Sequence, residues 1–410
     1  MIVVGAGAAG ITAAWRAGSS GARVLLLEKT NRIGTKILIS GGGKCNITHD
    51  GDIESVLAAF RSEERRFLKP SCYRFRNTQI VKMLTDRGLE VYTRPDGRIF
   101  PVHQTAKDVV AILRQYLEEA AVTVKLLAPV TDLKTSNGRI SGVETREMGY
   151  RSKTVVLCVG GSSYPSSGTT GDGWPWARGL GHSTTPIVAA LAPMDTEGSM
   201  GRFPGVSLRD VVLKARQNGK EIARWRGDLL FTHHGVSGPC ALGISRVVAE
   251  FRKAHAVHLE IDLRPDQSFE QLNDSMQDLV RESTKVRVST ILGDSFPSRL
   301  QDPFFESCQI DKLNTVAQLD KKARNRLIET LKGWKIGKVT GVPLEKGECV
   351  AGGVSLEEVD SQTMRSKFVE NLFLAGEMLD IAGPVGGYNL QAAFATGFVA
   401  GDSAARQAQR

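Results

Sequence analysis

Apolar and polar residues follow one another along this 410-residue chain in two periods, one typical of strands and one typical of helices. Short apolar runs at residues 2–4, 24–27 and 154–159 predict buried strands. Residues 107–121 carry apolar side chains three and four positions apart, which predicts an amphipathic helix. An Ala-rich helical segment separates the first two strands, as in a βαβ unit with parallel strands. The pattern predicts an α/β fold.

The turn between the first strand and its helix carries Gly5, Gly7 and Gly10 in the spacing GxGxxG. The first glycine allows the tight turn, the second lets the backbone approach a pyrophosphate, and the third lets helix and strand pack closely. The helix N-terminus offers free N–H groups and a partial positive charge to phosphates. Glu28, after the second strand, is placed to accept hydrogen bonds from ribose hydroxyls, which favours FAD or NAD over NADP. The sequence therefore predicts a dinucleotide-binding domain.

Groups near the end of the chain select between these dinucleotides. A short apolar strand leads to Gly376 and Glu377, and a glycine-rich loop at residues 383–387 leads into a helix. A helix N-terminus there suits the N1–C2=O edge of a flavin, which is negative when the flavin is reduced. Glu377 is placed to hold a ribityl hydroxyl, and Gly160 follows the strand at 154–159, where doubly wound sheets bind ligands. An NAD site needs no second element of this kind, so we predict FAD.

The character of the chain changes between these two nucleotide-type regions. Residues 184–346 alternate strand-like pieces with polar helices and contain no nucleotide signature. Because the nucleotide-type features resume afterwards, we interpret this segment as an inserted substrate or cap domain. The predicted boundaries are 1–183 and 347–410 for the two parts of the FAD domain and 184–346 for the insert.

Composition excludes some classes of protein. The net charge of +9 is scattered along the chain, so a solvated basic surface is the better interpretation and a nucleic-acid partner is not favoured. Six cysteines lie far apart without a CxxC pair, which argues against a redox disulfide and a zinc site and for a reducing compartment. No apolar run is long enough to span a bilayer, and the N-terminus runs directly into the nucleotide-binding pattern. We predict a cytoplasmic protein without a membrane span or signal peptide.

The histidines and one cysteine invite chemical hypotheses. His255 and His258 lie on a predicted strand at an odd separation, so they point to opposite faces and do not share a metal. His233 and its neighbour have no carboxylate nearby in sequence, so no metal site is predicted there. Cys45 is either a low-pKa thiol beside the redox centre or a buried thiol, and we favour the buried thiol.

Four segments identify the chain as similar to a known family. TKILISGGGKCNIT, VGGSSYPSSGTTGDG, FTHHGVSGP and AGEMLDIAGPVGGYNLQAAFATG resemble the bacterial flavoprotein family that includes the YhiN and BaiN types, often labelled aminoacetone oxidase-like. The resemblance runs nearly end to end. It implies a doubly wound, Rossmann-like FAD domain of the glutathione-reductase type, made of both chain ends, with an inserted α+β domain that contains a β-barrel-like part. The TGDG and AGE elements are more distantly similar to the flavoproteins of succinate dehydrogenase and fumarate reductase.

The resemblance also implies which residues contact FAD. They are Gly5, Gly7, Ala9, Gly10, Glu28, Lys29, Thr35, Lys36, Ser40, Gly41, Gly43, Cys45, Val130, Gly376, Glu377, Gly387, Asn389 and Leu390, with Val130 against the adenine. The sequence departs from the family pattern at Ala382, where an acidic or polar residue is frequent, and at Pro175, which is expected to break the helix after Asp172. Both departures lie on the substrate side.

Three functions stay open at this point. The first is a reductase of an activated C=C or C=O bond in a small molecule, with NAD(P)H as a transient co-substrate because no second GxGxxG unit exists. The second is an oxidase of a small amine or amino ketone that uses O₂, and the third is an FAD-binding sensor or nucleic-acid-binding or protein-binding module without turnover. The catalytic candidates are His233, as acid or base, and Tyr164, as proton donor or substrate clamp. The sequence does not predict the substrate or the oligomeric state.

Overall fold

The computed structural model describes residues 1–409. Its strands are β1 Ile2–Val4, β2 Leu25–Leu27, β3 Thr48–His49, β4 Val91–Thr93, β5 Arg98–Pro101, β6 Thr123–Lys125, β7 Val130–Ser136, β8 Arg139–Thr145, β9 Gly149–Arg151, β10 Val155–Leu157, β11 Val188–Ala190, β12 Met194–Thr196, β13 Ser207–Gln217, β14 Lys220–Phe231, β15 Gly235–Ser237, β16 His258–Asp262, β17 Trp334–Gly341, β18 Cys349–Ala351 and β19 Leu372–Leu374. Its helices are α1 Ala8–Ser19, α2 Thr35–Ile39, α3 Ile53–Ala58, α4 Ser62–Arg74, α5 Asn77–Thr85, α6 Ala106–Glu119, α7 Gly173–Gly179, α8 Pro239–Phe251, α9 Phe269–Glu282, α10 Gln301–Cys308, α11 Lys321–Gly333 and α12 Tyr388–Gln409.

The chain divides into two compact units. The first combines Met1–Val188 with Glu348–Arg410, of which Arg410 lies outside the described residues, and the second is Ala189–Gly347. The first unit is therefore made from both ends of the chain.

The first unit is built on a five-stranded sheet in the order β19-β10-β1-β2-β6, in which all neighbouring strands are parallel. Val3 at its centre lies opposite Leu26 on one side and Val156 on the other. All three side chains are fully buried, which explains why these strands have continuous apolar sequences rather than alternating ones. The chain moves from β1 to β2 on one side and returns to β10 on the other, so the strand order reverses between β1 and β10.

Helices α1 and α12 pack against each other with very close backbones. A Cβ atom on Gly397 would lie 2.2 Å from the Ala9 carbonyl oxygen, and one on Gly401 would lie 2.1 Å from that of Ala13. Glycine is therefore required at both positions. Asp402, which is 2% exposed, fixes the contact by accepting hydrogen bonds from Arg16 and Arg74 and by an ion pair with Arg406.

Smaller elements complete the first unit. Strands β3, β5 and β4 form one antiparallel sheet, and β7, β8 and β9 form another. Helix α6 begins with a capping box in which the Thr105 hydroxyl accepts from the Lys107 N–H and Asp108 accepts from the Thr105 N–H. The prediction that Pro175 breaks the helix after Asp172 was wrong. α7 contains Pro175 as its third residue, where a backbone N–H has no partner within the helix and its loss costs nothing.

The second unit contains a closed barrel in the order β12-β15-β14-β13-β16-β17. Its long hairpin β13–β14 turns through Asn218 and Gly219, both with positive φ, as a two-residue hairpin turn requires. Helices α8 to α11 cover an apolar core that includes the fully buried Phe304 and Trp334, whose rings meet edge to face at 5.5 Å. His255 precedes β16, so the prediction that it lies on a strand with His258 was wrong. Within residues 1–409 no helix is long and apolar enough to cross a membrane.

Candidate cofactor site

The predicted cofactor residues gather at one edge of the parallel sheet. The carboxyl end of β1 leads into the Gly5–Gly10 turn, that of β2 into Glu28, and that of β10 into Gly160. The carboxyl end of β19 leads into Gly376 and Glu377. Since the strands are parallel, these ends share one edge, and the reversal of strand order between β1 and β10 opens a crevice there.

The Gly5–Gly10 turn is shaped by steric needs that differ from one glycine to the next. Gly5 has φ +93°, and its Cβ would lie 2.5 Å from the Cys158 carbonyl oxygen. A Cβ on Gly10 would lie 1.8 Å from the Gly5 oxygen. Gly7, in contrast, would place its Cβ in open space, and as the residue before α1 it has no side chain to cap the first-turn N–H groups. The turn therefore presents bare N–H donors at a helix N-terminus.

Glu28 is tied into the same turn. Its carboxylate accepts from the Ala6 N–H at 2.7 Å and from the Thr30 N–H at 2.8 Å. An ionised carboxylate has about four acceptor positions, so roughly two remain for hydroxyl donors. The position and the residual acceptor capacity match the expected contact with a ribose.

A second polar cluster joins residues that are far apart in sequence. Lys36, in α2, donates to Glu377 Oε2 at 2.7 Å and to the Ser163 hydroxyl at 3.0 Å. Glu377 Oε1 accepts from the Val350 N–H at 3.0 Å, and both charged side chains are about four-fifths buried. The pair holds the ends of β19, β18 and the loop after β10 together, and it brings two predicted cofactor residues into direct contact.

The glycine-rich segment after α2 makes a tight turn. Thr35 begins α2, and Ser40, Gly41 and Gly43 belong to a short 3-10 turn in which both glycines have positive φ. Cys45 follows in the left-handed region with φ 66° and is fully buried. Burial raises the pKa of its thiol to about 12, so this cysteine is a neutral buried group at neutral pH and not a low-pKa thiol.

The C-terminal glycine loop is held by its own hydrogen bonds. The Asn389 side chain accepts from the Gly383 N–H at 2.8 Å and donates to the Gly383 carbonyl at 3.0 Å. With its amide oriented to satisfy both ends, Asn46 accepts from the Gly387 N–H at 2.9 Å. Leu390, in the first turn of α12, is half-buried. The loop is thereby joined to the segment that follows α2.

The loop after β10 carries Gly160, Tyr164 and Asp172. Gly160 has φ +73°, and Tyr164 adopts a left-handed conformation that leaves its side chain 41% exposed. Asp172 forms an ion pair with Lys29 at 2.6 Å. The ammonium group of Lys29, a predicted cofactor contact, therefore lies on a neighbouring carboxylate. Val130 begins β7 and is 9% exposed.

Glu348 is a chemical group that the sequence did not single out. It lies two residues before Val350, just ahead of β18, and a Cβ on Gly161 would lie 2.5 Å from the Val350 side chain and 3.2 Å from that of Glu377. Its side chain is exposed to solvent, yet surrounding protein raises its pKa, while Lys36 and Arg98 act in the opposite direction. A lone Glu after a glycine gives no sequence signal for this.

The second catalytic candidate lies in the other unit. His233 is an exposed residue of the turn between β14 and β15. Residues 1–409 contain no group of three or more His, Cys, Asp or Glu side chains placed to hold a metal ion. The donor set at the sheet edge consists of helix N–H groups, a partly free carboxylate and a buried Lys–Glu pair. This set fits a dinucleotide with anionic phosphates and hydroxyl-bearing sugars.

Comparison with known proteins agrees with this geometry. The HI0933-like protein Rossmann domain matches residues 1–403. The chain belongs to this family. A ribosomal RNA dihydrouridine synthase of Haemophilus influenzae is 28% identical to it over 413 residues, which cover 99% of this chain and 98% of the relative. A 3-dehydro-bile acid delta(4,6)-reductase of Clostridium scindens is 29% identical over 411 residues, with the same coverage of 99% and 98%.

Solved structures support the fold of this HI0933-like protein. A 3-ketosteroid delta1-dehydrogenase from Sterolibacterium denitrificans has a TM-score of 0.52 at 14% identity and covers 99% of both chains. The quinol fumarate reductase subunit FrdA of E. coli has a TM-score of 0.52 at 17% identity and covers 100% of this chain and 70% of its own. The predicted family, the Rossmann-type fold with a barrel-containing part, and the class of FAD-dependent oxidoreductase are confirmed.

Proposed function

We propose that this protein is an FAD-dependent reductase that saturates a C=C bond conjugated to a carbonyl group, with NAD(P)H as transient electron donor. The observation that carries the proposal is the pair of activities named for two relatives that match over nearly their full lengths. Dihydrouridine is uridine whose C5=C6 bond, conjugated to the C4 carbonyl, has been saturated. A 3-dehydro Δ4,6 steroid has C=C bonds conjugated to its C3 carbonyl. Both reactions add a hydride to one alkene carbon and a proton to another atom of the conjugated system.

When bound, FAD would supply hydride transfer at flavin N5 between the donor and the substrate. The residues of the chain hold this cofactor. The first-turn N–H groups of α1, beside Gly5, Gly7, Ala9 and Gly10, bind the pyrophosphate, and Glu28 binds the adenosine ribose. The remaining predicted contacts, among them Lys36, Ser40 and Glu377, bind the ribityl chain and the flavin.

A proton donor is needed beside the reacting bond, and three residues are candidates. Tyr164 has an accessible side chain in the loop after β10. His233 is a candidate because the sequence analysis predicts it as an acid or base. Glu348 is favoured by its raised pKa, because a carboxyl that stays protonated closer to neutral pH can donate a proton. Each is tested by Tyr164→Phe, His233→Ala or Glu348→Gln. The substitution that removes the proton donor is expected to slow reoxidation of the reduced flavin by substrate and to leave reduction of the flavin by NAD(P)H unchanged.

The proposed function is tested in two half-reactions. The purified protein, loaded with FAD, is reduced anaerobically with NADH or NADPH and then mixed with a uridine-containing RNA or with a steroid dienone, while flavin absorbance is followed. Reoxidation by one of these compounds, with formation of the saturated product, supports the proposal. Reoxidation by O₂ alone, or a flavin that no pyridine nucleotide reduces, contradicts it.

A further inference from the structure

Helix α4 lines a cavity of about 450 Å³ in the first unit that no cofactor contact uses. Its wall consists of Phe60, Ser62, Arg65, Arg66 and Lys69. Three of these five residues are cations, and none is acidic. The cavity is open to solvent, since the side chains of Arg65 and Lys69 are about half exposed.

The cations are only partly neutralised. Glu54 is shared by Arg65, at 2.9 Å, and Lys69, at 2.8 Å, and both cations remain about half exposed. Arg66 is exposed and has no ion-pair or hydrogen-bond partner among residues 1–409. Glu64 of the same helix is buried and accepts from the Ala382 N–H. Counted against Glu54, the three cations of the wall therefore leave a formal excess of two positive charges.

The cavity adjoins the C-terminal glycine loop. A Cβ on Gly383 would lie 2.8 Å from the Phe60 ring, and the rings of Phe60 and Tyr388 are 6.1 Å apart. The bond from Ala382 to Glu64 attaches the same loop to α4. Phe60 therefore separates the basic wall from the loop that is proposed to meet the flavin.

We propose that this cavity binds phosphate groups of an RNA strand whose uracil base is reduced at the flavin. Arginine matches phosphate by its planar fork of N–H donors, and two arginines with a lysine on one helix suit neighbouring phosphates of a strand. A steroid, in contrast, needs an apolar wall. This assignment rests on the proposed function and selects RNA between its two kinds of substrate. The sequence analysis did not favour a nucleic-acid partner, because the basic residues are scattered along the chain. In the structure, however, three of them line one cavity.

The test measures binding without turnover. Oxidised, FAD-loaded enzyme is titrated into a fluorescein-labelled, uridine-rich single-stranded RNA without any pyridine nucleotide, and anisotropy is recorded at several salt concentrations. Arg66→Glu is expected to weaken binding about tenfold or more and to lower the slope of log affinity against log salt by about one or more. Arg66→Lys is expected to keep most of the affinity. Arg114→Glu makes the same charge change on the exposed side of α6 and is the matched control.

The proposal would be overturned if Arg66→Glu and Arg114→Glu weakened RNA binding equally. It would also be overturned if neither substitution changed the affinity for RNA. An Arg66→Glu variant that binds RNA normally but needs more NADPH for flavin reduction would overturn it too, by assigning the cavity to the coenzyme. The proposed reaction fails separately. RNA that binds through Arg66 but does not reoxidise the reduced flavin would support the cavity and refute RNA as the substrate.

Discussion

Gly7→Ala separates the folding role of the glycine turn from its binding role. Gly7 has φ −79° and ψ −170°, which alanine adopts without strain, and the new Cβ would meet no protein atom within 4 Å. The methyl group would instead stand in front of the first-turn N–H groups of α1. We expect the variant to fold normally and to bind FAD weakly.

The magnitudes follow from opposing small terms. Alanine in place of glycine reduces the entropy of the unfolded chain by about 0.4–1 kcal/mol, and it is a poorer N-cap residue by a comparable amount of roughly 0.5–1 kcal/mol. The stability of the protein without cofactor should therefore change by less than about 0.5 kcal/mol. Loss of one charge-assisted hydrogen bond to the pyrophosphate costs about 1.5–3 kcal/mol, which raises the dissociation constant of FAD by roughly ten- to 150-fold.

The assay is reconstitution of the flavin-free protein, followed by flavin fluorescence for affinity and by thermal unfolding with and without FAD for stability. Gly10→Ala is the comparison, because its Cβ would lie 1.8 Å from the Gly5 oxygen and must push α1 away from β1. Such overpacking costs about 1–3 kcal/mol or more even without cofactor. Unchanged FAD affinity in Gly7→Ala, or equal destabilisation of the two variants, would refute the reasoning.

Three further predictions concern stability. Asp402→Asn should destabilise the protein by about 3–5 kcal/mol, because it removes the charge that three arginines face. These arginines lower the pKa of Asp402 against the effect of its burial, so its contribution to stability is present above the ordinary value of 3.8 and is lost as pH falls below it. Urea unfolding at several pH values measures this loss. His182 is buried between Glu358 and Ser366, and burial lowers its pKa, so the wild-type protein should lose stability as pH falls below 6.5. His182→Gln should remove this part of the slope of unfolding free energy against pH. An unchanged slope would contradict the assignment. Phe304→Ala should cost about 3–5 kcal/mol by leaving a cavity beside Trp334, and a loss below about 1 kcal/mol in chemical denaturation would show that the barrel core collapses around it.

The parts of the site that depend on local sequence were predictable. The Gly5–Gly10 turn follows from the residues themselves, because turn, helix start and strand lie within a few positions of one another. The pairing of Lys36 with Glu377 does not, because 341 positions separate them and only the completed sheet brings them together. Glu348 was missed for a related reason: its surroundings, Lys36 and Arg98, come from other elements.

The inserted segment shows the same division. Its helices and hairpins were predictable from periodicity and from Asn218–Gly219, whereas closure of the barrel depends on pairing of β12 with β17, which more than a hundred residues separate. The cavity of α4 was missed because its cations look like an ordinary solvated helix face until Phe60 and the Gly383 loop are placed beside them. Pro175 misled because its effect depends on its position within the turn.

The contact between α1 and α12 sets the order in which the protein can be completed during synthesis. The first helix ends at Ser19, whereas its partner begins at Tyr388 and carries the glycines that permit the contact, Gly397 and Gly401, so the partner is translated much later. The second unit is one continuous segment and can fold as soon as it emerges. The nascent N-terminal strand and helix, in contrast, must wait with an apolar surface uncovered. The surface of α1 that α12 covers therefore stays accessible to chaperones until α12 has been made.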